Sequence, residues 1–147
     1  MFIQAIKKTS FYISILFLCT QCQQGFILHQ KIVDNYYIIA PGIYERAALC
    51  FQTKDDWANY GELVPATVFA VGYNNEYMIV KQHPLLSFTN AIDKTTTNYY
   101  ILPILKTIDW STKNGLMGPL SLEDFDQWRK ELRIENIPFT KVIKDLE

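Results

Sequence analysis

The sequence predicts an α+β domain: a single antiparallel sheet of five to six strands, with one helix from the C-terminal half packed on it. Three observations lead there. Five short runs rich in β-branched and aromatic residues are separated by Pro, Gly and Asn signals. Two of these runs flank Asn74-Asn75, a hairpin signal. One later segment, from Ser121, combines a helix cap with helical apolar spacing. At 147 residues, 49% apolar and 14% aromatic, the chain has the size of one domain and enough apolar surface for a core.

Lys7-Lys8 and then the uncharged run Phe11–Cys19 have the layout of a secretion signal. That run is far shorter than the ~20 apolar residues needed to span a bilayer. Residues 1–21 are therefore read as a signal peptide, 22–30 as a tether and 31–147 as the domain. The first strand is Asn35–Ala40, stopped by Pro41-Gly42, and the second is Arg46–Gln52. The polar stretch Lys54–Glu62 reads as a connecting loop. Ala66–Tyr73 and Glu76–Gln82 form a hairpin across Asn74-Asn75, because asparagine tolerates the positive φ of a two-residue type I′ turn. Setting Tyr73 opposite Glu76 puts Val71 opposite Met78 and Phe69 opposite Val80, four residues on one face. The other face carries Val68, Ala70, Tyr77 and Ile79, so both faces call for a covering layer. Asn98–Leu102 is the fifth strand, and Lys106–Pro119 reads as an irregular excursion. Ser121-Leu122-Glu123-Asp124 begins a helix, with Leu122, Phe125, Trp128 and Leu132 on one face. Acidic residues fill its first turn and Arg129, Lys130 and Arg133 its end, as the helix dipole favours. Ile137-Pro138 breaks it, and Phe139–Lys144 alternates weakly, as an edge strand would.

The end of the leader offers two cysteines. Cys19 comes directly after the bulky Leu18, whereas Cys22 stands where the apolar run has ended and polar residues begin. Cys22 is the expected lipidation site, with ordinary cleavage between Thr20 and Gln24 as the alternative. Two or more acyl chains would then hold the protein on a membrane without a spanning helix. Cleavage before Cys22 removes Lys7 and Lys8 and moves the formal charge from −1 to −3. No basic patch remains, which argues against nucleic acid as a partner. Cys50 is then the remaining thiol, and a disulfide framework is excluded.

Three stretches carry a likeness to a known family: Pro65–Asn74 with Tyr77–Pro84, Thr97–Leu102, and Gly118–Phe125 with Arg129–Leu132. Together they resemble an uncharacterised family of small lipoprotein-like proteins from Gram-negative bacteria, known as a domain of unknown function. The resemblance implies export, lipidation and a compact antiparallel sheet with a helix. It brings no activity and no site.

Candidate chemistry is sparse. His29 in the tether and His83 at a strand end have no ligands at metal spacing, so neither a metal nor a cofactor is expected. No catalytic set is assigned. Lys81 and His83 form the best polar cluster. Tyr36, Tyr37, Tyr99 and Tyr100 matter more, since consecutive strand residues face opposite ways and one of each pair can stand outward for recognition. These six residues are the candidate interaction surface. The expected function is a binding or interaction module of the cell envelope, facing the periplasm or the cell surface, its partners a membrane and an envelope protein or glycan. The alternatives are an immunity or inhibitor protein against an envelope enzyme or toxin, and a small hydrolase using His83 or Cys50.

Overall fold

The computed structural model describes residues 25–53, 59–86, 89 and 91–147. The leader, with Cys19 and Cys22, lies outside the described residues, as do residues 54–58, most of the stretch Lys54–Glu62 expected as a loop. Among the described residues, nine strands form two antiparallel sheets. The first, in the order β1-β2-β3-β4, comprises Phe26–Val33, Tyr36–Pro41, Ala48–Gln52 and Tyr60–Val64. The second, in the order β8-β7-β6-β5-β9, comprises Val68–Tyr73 (β5), Tyr77–Gln82 (β6), Asn98–Pro103 (β7), Met117–Leu120 (β8) and Lys141–Val142 (β9). The one α-helix among the described residues, α1 (Leu122–Glu131), lies over β7 and β8.

The expectation of a single sheet is thus corrected. The five strands foreseen are present, but β2 and β3 belong to one sheet and β5, β6 and β7 to another. The two sheets close on one core. Tyr36, Ile38, Ala40, Leu49, Phe51, Leu63 and Val64 of the first meet Val68, Phe69, Val71, Met78, Val80, Tyr100 and Leu102 of the second. The inward face of the hairpin did need a covering layer, and that layer is the four-stranded sheet. The outer face of the second sheet holds Ile79 and Ile101, which α1 and the chain after it cover through Phe125, Ile134 and Ile137. A hydrogen bond from the Val68 N–H to the Ala47 carbonyl, 2.7 Å, ties the two sheets where the chain crosses between them.

Three local expectations are also corrected. The stretch 22–30 is no tether from Phe26 on: those residues open β1, which pairs along β2 with His29 opposite Ile39 and Lys31 opposite Tyr37. Tyr60-Gly61-Glu62, expected in a loop, is the start of β4. Both are edge strands, whose polar, half-exposed residues weaken the alternation that marks a strand. The hairpin turn is shifted by one residue. Val71 lies opposite Val80 and Tyr73 opposite Met78, with Asn75-Glu76 at the tip. The Asn74 N–H closes the turn on the Tyr77 carbonyl, 3.0 Å. The Asn74 side-chain oxygen accepts the N–H groups of Glu76 and Tyr77 at 2.8 and 2.7 Å. This side-chain turn holds the loop without positive φ at either asparagine. Phe69, Val71, Met78 and Val80 still share the inner face, because the slip is an even one across the ladder. A bulge between Val68 and Ala70 also brings Val68 into the inner core.

Ser121 caps α1 as expected, its Oγ accepting the Asp124 N–H at 3.1 Å. The buried face differs. Phe125 is buried, but Leu122 is exposed and Trp128 is 39% exposed. The helix ends in a Schellman turn: Arg133 takes φ +58° and the Ile134 N–H reaches the Arg129 carbonyl at 2.9 Å. This turn sends the chain back across the sheet. Ile134 and Ile137 then fill the space that helical spacing assigns to Trp128, while Leu132 packs against this cluster as expected.

Candidate functional site

The six residues expected at an interaction surface are distributed over separate parts of the molecule. Tyr36 is fully buried between the sheets; its hydroxyl donates to the Pro103 carbonyl (3.3 Å) and accepts the Leu105 N–H (3.0 Å). Tyr99 stacks on Phe125 beneath α1, with ring centroids 4.8 Å apart. Lys81, on the same outer face, sets its ammonium 4.6 Å from the centre of the Phe139 ring. His83 is 4% exposed and stacks on Phe69 at 4.2 Å. Its Nδ1 lies 2.7 Å from the Thr96 carbonyl, which can only accept, so Nδ1 carries the proton. Tyr37 stands on the outer face of the first sheet. Tyr100 is 5% exposed, between the sheets.

What the fold brings together instead is a ring array and a cleft. On the outer face of the first sheet, Phe26, His29 and Tyr37 stack in a row, with centroids 5.8 and 5.1 Å apart. Tyr60 from β4 meets all three edge-on and bonds His29 Nε2 through its hydroxyl at 2.7 Å. Phe26, His29 and Tyr60 had no signal in the sequence, since the first two stand on an edge strand that reads as a tether and the third on one that reads as a loop.

Beside this array lies a cleft of about 930 Å³. Its walls include Ile39, Ala48, Cys50, Tyr60 and Glu62 from the first sheet, Arg46, the Pro65-Ala66 link, Gln82, Asn98 and Tyr100 from the second sheet, and Pro84-Leu85 after it. A largely apolar hollow of this size with a few placed polar groups has the form of a ligand site. The polar groups are oriented from below. The Ala66 carbonyl can only accept, so it takes the Gln82 amide N–H at 2.7 Å. The Gln82 oxygen must then face Asn98, whose amide nitrogen donates to it at 2.8 Å. The Asn98 oxygen is left turned away, with no partner among the described residues. A buried glutamine, 3% exposed, thus sets the polarity of a cleft-wall asparagine. The Tyr100 hydroxyl likewise has no hydrogen bond among the described residues. Burial alone pushes that phenol up.

Cys50 lines the same cleft. Burial first, then the neighbouring Glu62 carboxylate, pushes its thiol up to about 12. At neutral pH it is a protonated, weakly polar side chain whose Sγ points to the Ala48 carbonyl. His83 is not among the cleft residues, and its contacts are a carbonyl and a phenyl ring. Among the described residues Cys50 is directed at a carbonyl and not at a base, and His83 is bonded to a carbonyl and not to a nucleophile, so neither is paired as nucleophilic catalysis needs. Among the described residues no three His, Cys, Asp or Glu side chains gather closely enough to hold a metal ion.

Among the described residues, fold and site define two packed antiparallel sheets with a helix on an outer face and a ligand-sized cleft at the junction of the sheets. The chain belongs to the family described as "Protein of unknown function (DUF3997)", which matches residues 33–143. No curated protein and no solved structure matches it.

Proposed function

We propose that the chain is an exported, lipid-anchored binding module of the bacterial envelope, with Cys22 as its acylated amino terminus and the cleft as its binding site. The cleft carries the binding half of this reading: its polar groups are oriented by a buried relay, while its one thiol is held protonated. Such a wall can select a ligand and has no activated nucleophile. The leader's two lysines, short apolar run and subsequent cysteine support the anchored half. No helix among the described residues is long and apolar enough to cross a membrane, so attachment would fall to lipid.

Two measurements test the proposal. The intact mass of the membrane-fraction protein should correspond to a chain starting at Cys22 plus acyl chains, and Cys22→Ser should release the protein or stall its processing. A mature chain without added mass defeats the anchor. For the site, a photo-reactive phenylalanine at Leu85, on the cleft wall, should cross-link an envelope component in living cells. The same probe at the exposed Trp128 should not. Equal yields from both positions, or none from Leu85, would dismiss the cleft as a binding site.

A further inference from the structure

Resting on the reading of the cleft as a binding site, we infer that its ligand is an extended polypeptide segment, added as a new strand along the free edge of β4. The hydrogen-bond pattern of the first sheet carries the argument. The Thr53 N–H donates to the Asn59 carbonyl at 2.9 Å, and Gln52 lies opposite Tyr60, Phe51 opposite Gly61 and Cys50 opposite Glu62. Antiparallel ladders alternate between hydrogen-bonded and non-hydrogen-bonded pairs. Thr53–Asn59 is bonded, so Phe51–Gly61 is bonded and the pairs of Tyr60 and Glu62 are not. The Gln52 N–H, which reaches the Asn35 carbonyl at 2.8 Å on the β2 side, shows the same phase. The backbone N–H and C=O groups of Tyr60 and Glu62 therefore point away from β3. No hydrogen bond among the described residues uses them.

These two residues are also the ones whose side chains line the cleft. An incoming strand would satisfy both pairs of backbone groups. Its alternate side chains would enter a hollow walled by Ile39, Ala48, Tyr60, Pro84 and Leu85. The Asn98 oxygen and Tyr100 hydroxyl stand ready for the N–H groups that a peptide supplies. The other edges fit this role less well. β1 is interrupted by two register shifts, β8 has four residues and β9 two. Bulges and short length are the usual devices that keep an edge from pairing.

Hydrogen exchange on the full chain, tracked residue by residue, gives the first test. The Tyr60 and Glu62 amides should exchange freely while Gly61 is protected. Protection of Tyr60 and Glu62 in the free chain would mean that the edge is already covered and would overturn the proposal. The second test selects binders from a displayed random heptapeptide library. Selected peptides should protect both amides. Glu62→Pro removes one outward N–H and none of the bonds to β3, so it should weaken those peptides at least tenfold while Gly61 stays protected. Peptides that bind the Glu62→Pro chain equally well, or a library that yields none, would overturn the proposal. A chito-oligosaccharide that binds at Leu85 without protecting either amide would likewise dismiss the peptide and keep the cleft. An absence of any cross-link at Leu85 would dismiss both.

Discussion

A single hydroxyl group links the two layers of the molecule. Tyr36 Oη bridges the Pro103 carbonyl and the Leu105 N–H, so Tyr36→Phe leaves two backbone groups without their partner. The expected loss is about 1–3 kcal/mol, measured by urea unfolding. Cys50 gives a pH signature. Its thiol is pushed from the ordinary 9.0 up to about 12, so between those values the unfolded chain has lost a proton that the native chain keeps. Stability from this group is complete below about pH 9 and falls as pH rises, with a slope near 1.4 kcal/mol per unit. The difference between wild type and Cys50→Ala, taken from pH 8 to 10.5, isolates this slope from the tyrosines that titrate in the same range. A difference that does not change with pH would show that the thiol is not desolvated. For single side chains the sequence was informative about alternation but silent on cover. That Tyr36 and Tyr37 face opposite ways is a consequence of strand geometry. That one meets Pro103 and the other His29 depends on partners 67 and 8 residues away, which no local pattern reveals.

Among the elements, α1 separates local from non-local information most clearly. Its cap is written in Ser121 and Asp124, three residues apart, and the structure has that bond. Its buried face is decided by the chain beyond its C-terminus, because the turn at Arg133 returns Ile134 and Ile137 to the sheet beside Phe125. Phe125→Ala should therefore cost about 3–5 kcal/mol and Trp128→Ala less than about 1 kcal/mol. Thermal or urea unfolding of the two variants checks the contrast, and equal losses would restore the face expected from helical spacing. The hairpin teaches the same point. Two adjacent asparagines signal a turn, but the Asn74 side chain moves the tip by one residue through bonds that a backbone-only reading of the turn does not count.

For the molecule as a whole, the decisive fact is that β1 is structural. Ile32 is buried in the shared core, with Leu28 and Val33 packed against it. Ile32→Ala should cost about 2–5 kcal/mol, and a chain beginning at Asp34 should lose its cooperative urea transition monitored by circular dichroism. Retention of that transition would show that the family-matched region folds without its first strand. Two sheets were hard to read because their inner strands are equally apolar. The edge strands of the first sheet, β1 and β4, are mostly exposed or half-buried and so carry a weaker pattern. Close approach also matters: Gly61 leaves no room for a Cβ, which would lie 2.1 Å from the Trp110 indole, so this ring can lie against the β4 edge strand. A glycine in a polar stretch reads as a loop, and here it marks a strand under an aromatic ring.

The early start of β1 has a consequence for where the protein can act. If Cys22 bears the acyl chains, Gln23, Gln24 and Gly25 alone separate the lipid from Phe26. Four residue steps reach at most about 14 Å, whereas a free stretch to residue 30 would reach about 28 Å. The domain would then be moored rather than leashed, rolling on the headgroups with the Phe26 end of its first sheet turned to the bilayer. Partners arriving by lateral diffusion in the membrane would meet the cleft often, and those dispersed through the compartment seldom.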